Sequence, residues 1–511
     1  MWRNFMEIRN EDLSKVRVLR GARVIDPAQS IDRVSDVLIR DGKILDIGDN
    51  LAPPESEVIN LQGETLTPGW IDNHVHTYGT LGFADPDSIG VWQGVTSFVD
   101  AGGPGIASMD EFMALMHGQT ITNLYAGPYI RPMGIIGAQF TEGDVHSLNG
   151  FPIPDWLDFV GSNPGVVRYL KIAALSGYGT GPIKMGKGLA EVIGVPLYSH
   201  IGEFQMQPEN PCAYEVFRVS EAGDMIAHCY HNNGARILDR SKKLMPVVVD
   251  AKERGVLFDI AFGSYNFSWD VAEAAFGQGL APDIISSDLQ QFNAIGPAYS
   301  LSHVMSMLLR LGMSFEDVIK AVTATPAHAL RLEDRAGSLR RGMPAEITVC
   351  HVEQGKFEFA DTEGKMRAAD RKIIPVAAFM GHREYETDLI RCQSEDNWLL
   401  QIAEDHVPAA AAKLSQHQIL FLDHLRQSLS VVEWVYDLEN LNIKKAHELR
   451  AVFDKARNGA KLSLRDALLA VFACFLDRPF TMQIGLFLLH LERDLLLGRL
   501  SEIVTSARVT V

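Results

Sequence analysis

From Leu66 to about Leu332 the chain repeats one pattern: an apolar run of strand length, then a segment long enough for a helix. The runs are LTPGWIDNHVH, VTSFVDAG, ITNLYAGPYI, VVRYLKIAAL, PLYSHIG, DMIAHC, VLFDIAFG and PDIISSDL. Between them lie helix-compatible stretches such as MDEFMALMHGQ, MGKGLAEVIG and DVAEAAFGQG. Unbroken apolar runs, rather than alternating ones, are what parallel strands covered on both faces require. Eight strand–helix repeats in roughly 250 residues is the arithmetic of a (β/α)8 TIM barrel, which is expected here over an open doubly wound sheet. The polar residues favour the barrel, because they gather at the C-terminal ends of the runs, where a barrel carries its active site.

Both flanks differ in texture. VRVLRGARVID, DVLIRDGKILDIG and EVINLQGETL alternate apolar and polar residues, and Asp41-Gly42 is a hairpin signal. Strand texture returns in LRRGMPAEITVCHVEQGKFEF and KIIPVAAFMGHREYE. Residues 1–66 and 336–390 are therefore expected to form one small flanking β-sandwich domain, with the barrel over 67–335. Residues 391–511 read as a helical extension. In it Ser463 and Asp466 suggest a capped helix carrying Leu464, Leu468, Val471, Phe472 and Phe475, stopped by Pro479. A second helix is expected from Met482 to Leu500, apolar around much of its girth and so covered by neighbours or a partner subunit. A homo-oligomer is expected.

Composition excludes several classes. A formal net charge of -17 argues against nucleic acid or an anionic membrane as partner. The five cysteines (Cys212, Cys229, Cys350, Cys392, Cys474) are scattered without a CxxC pair, as in a reducing compartment. The N-terminus MWRNFMEIRNEDLSK has no apolar signal core. ALLAVFACFL and IGLFLLHL fall short of the ~20 residues a membrane span needs. A soluble cytoplasmic protein is expected.

Run one ends with His74 and His76, run four carries Lys171, run five ends with His200, run six with His228 and run eight with Asp288. Side chains alternate along a strand, so the residue between the two histidines of HVH points away while both imidazoles face the barrel. Singly, each has an ordinary reading: a structural histidine, a salt-bridged lysine, a helix-capping aspartate. Jointly, four histidines, a lysine and an aspartate at the same ends of five strands indicate a metal site. His231, three residues past His228, lies beyond the strand end and is expected behind the ligands at most.

Over roughly residues 16 to 388 this pattern resembles the amidohydrolase superfamily, above all its dihydroorotase/hydantoinase-like branch of amidohydrolase/deacetylase metallohydrolases. The resemblance rests on GWIDNHVH, Lys171 in RYLKIAAL, His200 in LYSHIG, His228 in MIAHCYH and Asp288 in IISSDL. TATPAHALRL and LRRGMPAEITV extend it, whereas the helical extension departs from the usual family length. The resemblance implies a hydrolase acting on carbon–nitrogen bonds other than peptide bonds. An ammonium has no lone pair for a cation. The resemblance accordingly implies that Lys171 is carboxylated by CO2, its carbamate bridging two divalent metals. His74 and His76 would hold the buried metal with Asp288, and His200 and His228 the more exposed one. Nitrogen and oxygen ligands suit Zn2+, with Mn2+, Fe2+ or Ni2+ as alternatives. Asp288 would act as general base and acid toward a metal-activated hydroxide.

The substrate is expected to be a small molecule bearing an N-acyl or cyclic amide. Arg131 in PYIRPMG, Tyr178 in SGYGTG, and Ser264 with Tyr265 in FGSYNF are candidate contacts from the loops after the strands. Arg131 could clamp a substrate carboxylate or make an ordinary ion pair. Two alternatives stay open: a deacetylase acting on an acetyl ester, and a catalytically silent scaffold that uses its helical tail for interactions. A deaminase is disfavoured, since mononuclear deaminases do not need Lys171.

Overall fold

Strands β1 (Arg17–Asp26), β2 (Ile31–Arg40), β3 (Lys43–Gly48), β4 (Glu57–Asn60) and β5 (Thr65–Pro68) open the chain. The structure is a computed structural model that describes residues 16–135, 152–175, 179–202, 214–394, 400–434, 443–478 and 482–509. Asp41 and Gly42 both have positive φ, 52° and 70°, as the tight turn between β2 and β3 requires. These strands join β13 (Glu346–Ala360), β14 (Met366–Met380) and β15 (Arg383–Glu386). The result is one eight-stranded sheet in the order β15-β14-β13-β5-β1-β2-β3, with β4 beside β1. The two segments that flank the parallel strands meet where β13 runs antiparallel to β5, Thr348 opposite Thr67.

Between them run β6 (Trp70–Val75), β7 (Val95–Asp100), β8 (Asn123–Ala126), β9 (Leu170–Ala173), β10 (Leu197–His200), β11 (Met225–Ala227) and β12 (Leu257–Phe258). They form two parallel sheets, β6-β7-β8 and β12-β11-β10-β9. Their residues are buried almost throughout, which explains the unbroken apolar runs. The eighth run is no regular strand: parallel bridges tie Ile284 to Asp259 and Leu289 to Val75. Further parallel bridges, Ala126 to Val167 and Tyr129 to Lys171, connect the two sheets between β8 and β9. Helices follow the strands, among them Met109–Leu115, Gly181–Ile193, Pro246–Glu253, Trp269–Phe276 and Leu301–Leu311.

After residue 400 come helices Gln416–Leu429, Ile443–Gly459, Leu464–Phe475, Ile484–Leu489 and Arg493–Val509. Ser463 caps the third, its Oγ accepting from Asp466 N at 3.1 Å. The helix ends at Phe475, and Pro479 lies outside the described residues. The single helix expected from Met482 to Leu500 is instead two, broken at 490–492. IGLFLL carries no polar face, and every residue of Ile484–Leu489 is buried, with Gly485 close against the backbone of Ala446 in the helix Ile443–Gly459. These helices share one apolar core with the parallel strands. No described helix is long and apolar enough to cross a membrane. Cys229, Cys350, Cys392 and Cys474 are free and buried.

Candidate metal centre

At the C-terminal ends of the parallel strands lies a cavity of about 530 Å3. His74, His76, Lys171, His200, His228 and Asp288 all line it. One ligand atom each from His74, His76 and Asp288 lies within 4.8 Å of the others. His74 Nε2 and His76 Nε2 stand 3.3 and 3.1 Å from the same Asp288 oxygen. The Lys171 amine is 3.5 Å from His74 Nε2, and the His200 and His228 rings meet edge to face at 4.4 Å. Val75, the residue between the two histidines, is buried in the apolar core.

The backbone here is held in costly conformations. His228, Ala261 and Asp288 have φ of 65°, 39° and 49°, a region that non-glycine residues seldom occupy. Each costs of order 1–3 kcal/mol and persists only where the surroundings over-determine it. Hydrogen bonds do that. Asp288 N donates to His74 O at 2.8 Å, and Asn293 Nδ2 to Asp288 O at 2.8 Å. Gly263 lets the chain pass close by: a Cβ there would sit 2.4 Å from Asp288 Oδ2.

Beneath the cavity lies a layer of buried carboxylates. Asp72 accepts from His74 N, Ser287 N and Ser287 Oγ. Asp100 accepts from Thr77 N and Oγ1, Tyr78 N and Gly103 N. Asp259 accepts from Asn73 Nδ2, Tyr198 OH, Ser286 Oγ and Ala261 N. Burial pushes the Asp72 carboxyl up to about 7 and raises Asp259 and Asp100, while these donors pull the other way.

The donor set fits a divalent cation. Burial and then the Lys171 charge hold His74 well below the usual histidine range and His200 at about 3, and burial with His200 depresses His228. The rings are therefore neutral and offer lone pairs. Burial brings the Lys171 amine down to about 7, against the pull of Asp288, so much of it is uncharged near neutrality. Nδ1 of His76 is buried without a hydrogen-bond partner among the described residues.

The other expected residues are dispersed. Ser264 and Tyr265 line the cavity, Tyr265 well exposed at its mouth. Arg131 is buried, its guanidinium 5.8 Å from the Tyr129 ring, and is not among the described residues lining the cavity. Tyr178 lies outside the described residues. His231 is buried behind the site against Gly202, its Nδ1 accepting from Asn233 N. The sequence reading missed Gln290 and Asn266, which line the cavity. Gln290 Nε2 donates to Asp288 Oδ1 at 3.0 Å, and Asn266 Nδ2 is 3.5 Å from Oδ2. Gln290 follows the eighth run directly, two residues past Asp288, but an amide is not among the usual metal ligands, and Asn266 lies in the loop after the seventh run.

No family model matches the chain. A curated deacetylase of Agrobacterium fabrum is 31% identical over 356 residues, 68% of this chain and 86% of that protein. A deacetylase of Enterococcus faecalis is 30% identical over 69% of this chain and 95% of its own length. Among solved structures, a dihydroorotase and an adenine deaminase each superpose with a TM-score of 0.66 at 27% identity. They cover 73% of this chain and 98% and 99% of their own.

Proposed function

The chain belongs to the amidohydrolase superfamily, in its dihydroorotase/hydantoinase branch, and on that premise we propose a binuclear metal-dependent hydrolase that cleaves an amide or related acyl bond of a small molecule. The observation that carries this reading is the convergence of His74, His76, Lys171, His200, His228 and Asp288 on one cavity. The bridges at Ile284, Leu289, Val167 and Lys171 support a closed (β/α)8 barrel over residues 67–335. Residues 1–66 and 336–390 then make up the small β domain, and 391–511 an added helical domain.

His74, His76 and Asp288 would hold one metal, His200 and His228 the other, with a carbamate on Lys171 shared between them. Zn2+ suits these ligands. When bound, such metals polarise a substrate carbonyl and lower the pKa of water toward about 7. The remaining steps belong to the chain. Lys171, depressed to about 7, presents a free lone pair that attacks the carbon of CO2. One C=O electron pair moves to oxygen, the nitrogen hands one proton to solvent water, and the anionic carbamate results. Asp288 takes the proton of the attacking water and delivers it to the leaving nitrogen. Gln290 and Asn266 orient its carboxylate for both transfers. Leu81, Ile135, Phe292 and Pro297 give the cavity an apolar side that suits an acyl group.

The relatives named deacetylases favour an acetyl substrate, and an acetyl ester is the second reading. The test is a screen of N-acyl amino acids, cyclic amides and acetyl hydroxy acids with Zn2+-reconstituted protein. Turnover that is lost on chelation is expected. A protein that binds no Zn2+ and hydrolyses none of these would be a scaffold, not an enzyme.

A further inference from the structure

Tyr198 and Asp259 stand below the cavity, and nothing in the proposed chemistry uses them. Tyr198 is opposite Lys171 in the β9–β10 pairing, with the lysine amine 4.3 Å from its ring centre. Its other neighbour is Tyr169, stacked at 4.5 Å. Its hydroxyl lies 2.9 Å from His74 Nδ1 and 2.9 Å from Asp259 Oδ2. A phenol has one hydrogen to give, so the direction of these two bonds decides the state of His74.

Asp259 settles that direction. Asn73 Nδ2 and Ala261 N can only donate, and they reach Asp259 at 3.0 and 3.1 Å. Ser286 Oγ adds a third bond at 2.6 Å, so each oxygen receives a donor before Tyr198 is counted. A carboxylate so surrounded accepts only, and the Tyr198 hydrogen goes to it. The phenol oxygen must then accept from His74, which makes His74 the Nδ1–H tautomer. Its Nε2 lone pair is left facing Asp288 Oδ1 and the Lys171 amine.

The same carboxylate reaches a second histidine through the backbone. Asp259 binds Ala261 N, holding the positive-φ turn whose carbonyl is 2.6 Å from His228 Nδ1. A carbonyl only accepts, so His228 is also the Nδ1–H tautomer. We propose that Asp259 is a positioning hub that sets the tautomers of His74, through Tyr198, and of His228, through Ala261, so that both present Nε2 to the metals. This rests on the metal reading above, but the tautomer half can be tested without metal. Partners of this kind behind a metal-binding histidine are worth 10–100-fold in metal affinity, as an order of magnitude.

The experiment uses the full chain and Tyr198→Phe, which removes one oxygen and keeps the ring under Lys171. In metal-free protein labelled with 15N-histidine, with His74→Gln for assignment, His74 should appear as the Nδ1–H tautomer and lose that preference in Tyr198→Phe. Chelator competition with Zn2+ alone should show roughly 10–100-fold weaker binding in the variant, with an unchanged circular dichroism spectrum. Asp259→Asn should disturb His228 as well as His74. An Nε2–H tautomer at His74 in the wild type, or Zn2+ affinity in Tyr198→Phe within twofold of wild type, overturns the proposal. A wild type that shows the expected tautomers yet binds no Zn2+ would instead overturn the metal reading and, with it, the hub's purpose.

Discussion

The ends of the parallel strands and the helices after residue 400 are both buried, yet different forces hold them. At the strand ends, Asp72, Asp100 and Asp259 each collect three or four hydrogen bonds, at least two of them from another segment, and the backbone is bent through positive φ at His228, Ala261 and Asp288. In the helices the contacts are mainly apolar: Leu468, Val471, Phe475, Phe487 and Leu500 are fully buried in one cluster. A few polar ties fasten these helices to the helix Met109–Leu115 and the segment after β8. Arg450 pairs with Glu111 and Asp110, Ile484 N donates to Glu111 at 2.8 Å, and Gln483 Nε2 donates to Met133 O at 2.6 Å. Directional bonds fix where a lone pair points; apolar burial fixes only that two surfaces stay together. A site that must hold ligand atoms within a few tenths of an ångström needs the first kind. An added domain can rely on the second.

That contrast can be broken from either side. The largest effect should come from Asp288→Asn, which keeps the shape but removes the proton acceptor. Hydrolysis should fall about 10²–10⁴-fold while most of the bound metal stays, as read by steady-state rates and metal analysis. Near-normal turnover would strip Asp288 of its assigned role.

Next comes Arg450→Met, which leaves Glu111 buried without its cation. Losing one partner of a buried pair costs about 3–5 kcal/mol, measured by urea unfolding. Burial already pushes Glu111 up to about 7, so the folded chain keeps a proton that the unfolded chain releases above 4.5. Stability tied to this group therefore falls as pH rises from 4.5 through 7, and without Arg450 the folded pKa climbs further. The variant should lose more at pH 8 than at pH 5.5, and a loss equal at both would mean that Glu111 is not the group responsible. Smallest is Gln483→Ala, which removes a single hydrogen bond worth about 1 kcal/mol. Its metal affinity should match wild type; a weakened metal site would mean that the helices also shape the cavity.

Much of this was legible beforehand, for identifiable reasons. Strands covered on both faces must be apolar along their length, so the runs at 70–75, 95–100 and 197–200 stood out. The residues lining the cavity from those runs were visible because a strand end is a fixed address in a parallel sheet. Tyr198 shares the face of His200, two residues on, but nothing local says that its hydroxyl meets His74, a contact across 124 positions. Asp259 is hidden for the same reason: its donors come from β6, β10 and the eighth run. That run betrayed itself by composition but not by form, since bridges alone hold it and Asp288 needs the irregular backbone. The break at 490–492 escaped notice because a helical pattern reports which residues are apolar, not whether one straight rod can bury them.

The central claim is that six residues, at or just past four strands and in the eighth run, hold two metals, with Lys171 joining them as a carbamate. Metal stoichiometry after reconstitution with Zn2+ and bicarbonate tests it most directly, in the wild type and in Lys171→Ala. Two equivalents per wild-type chain are predicted, with metal and activity lost together in the variant and partly restored by a short carboxylic acid. An undiminished metal load in Lys171→Ala, or a wild-type chain that takes up none, would contradict it.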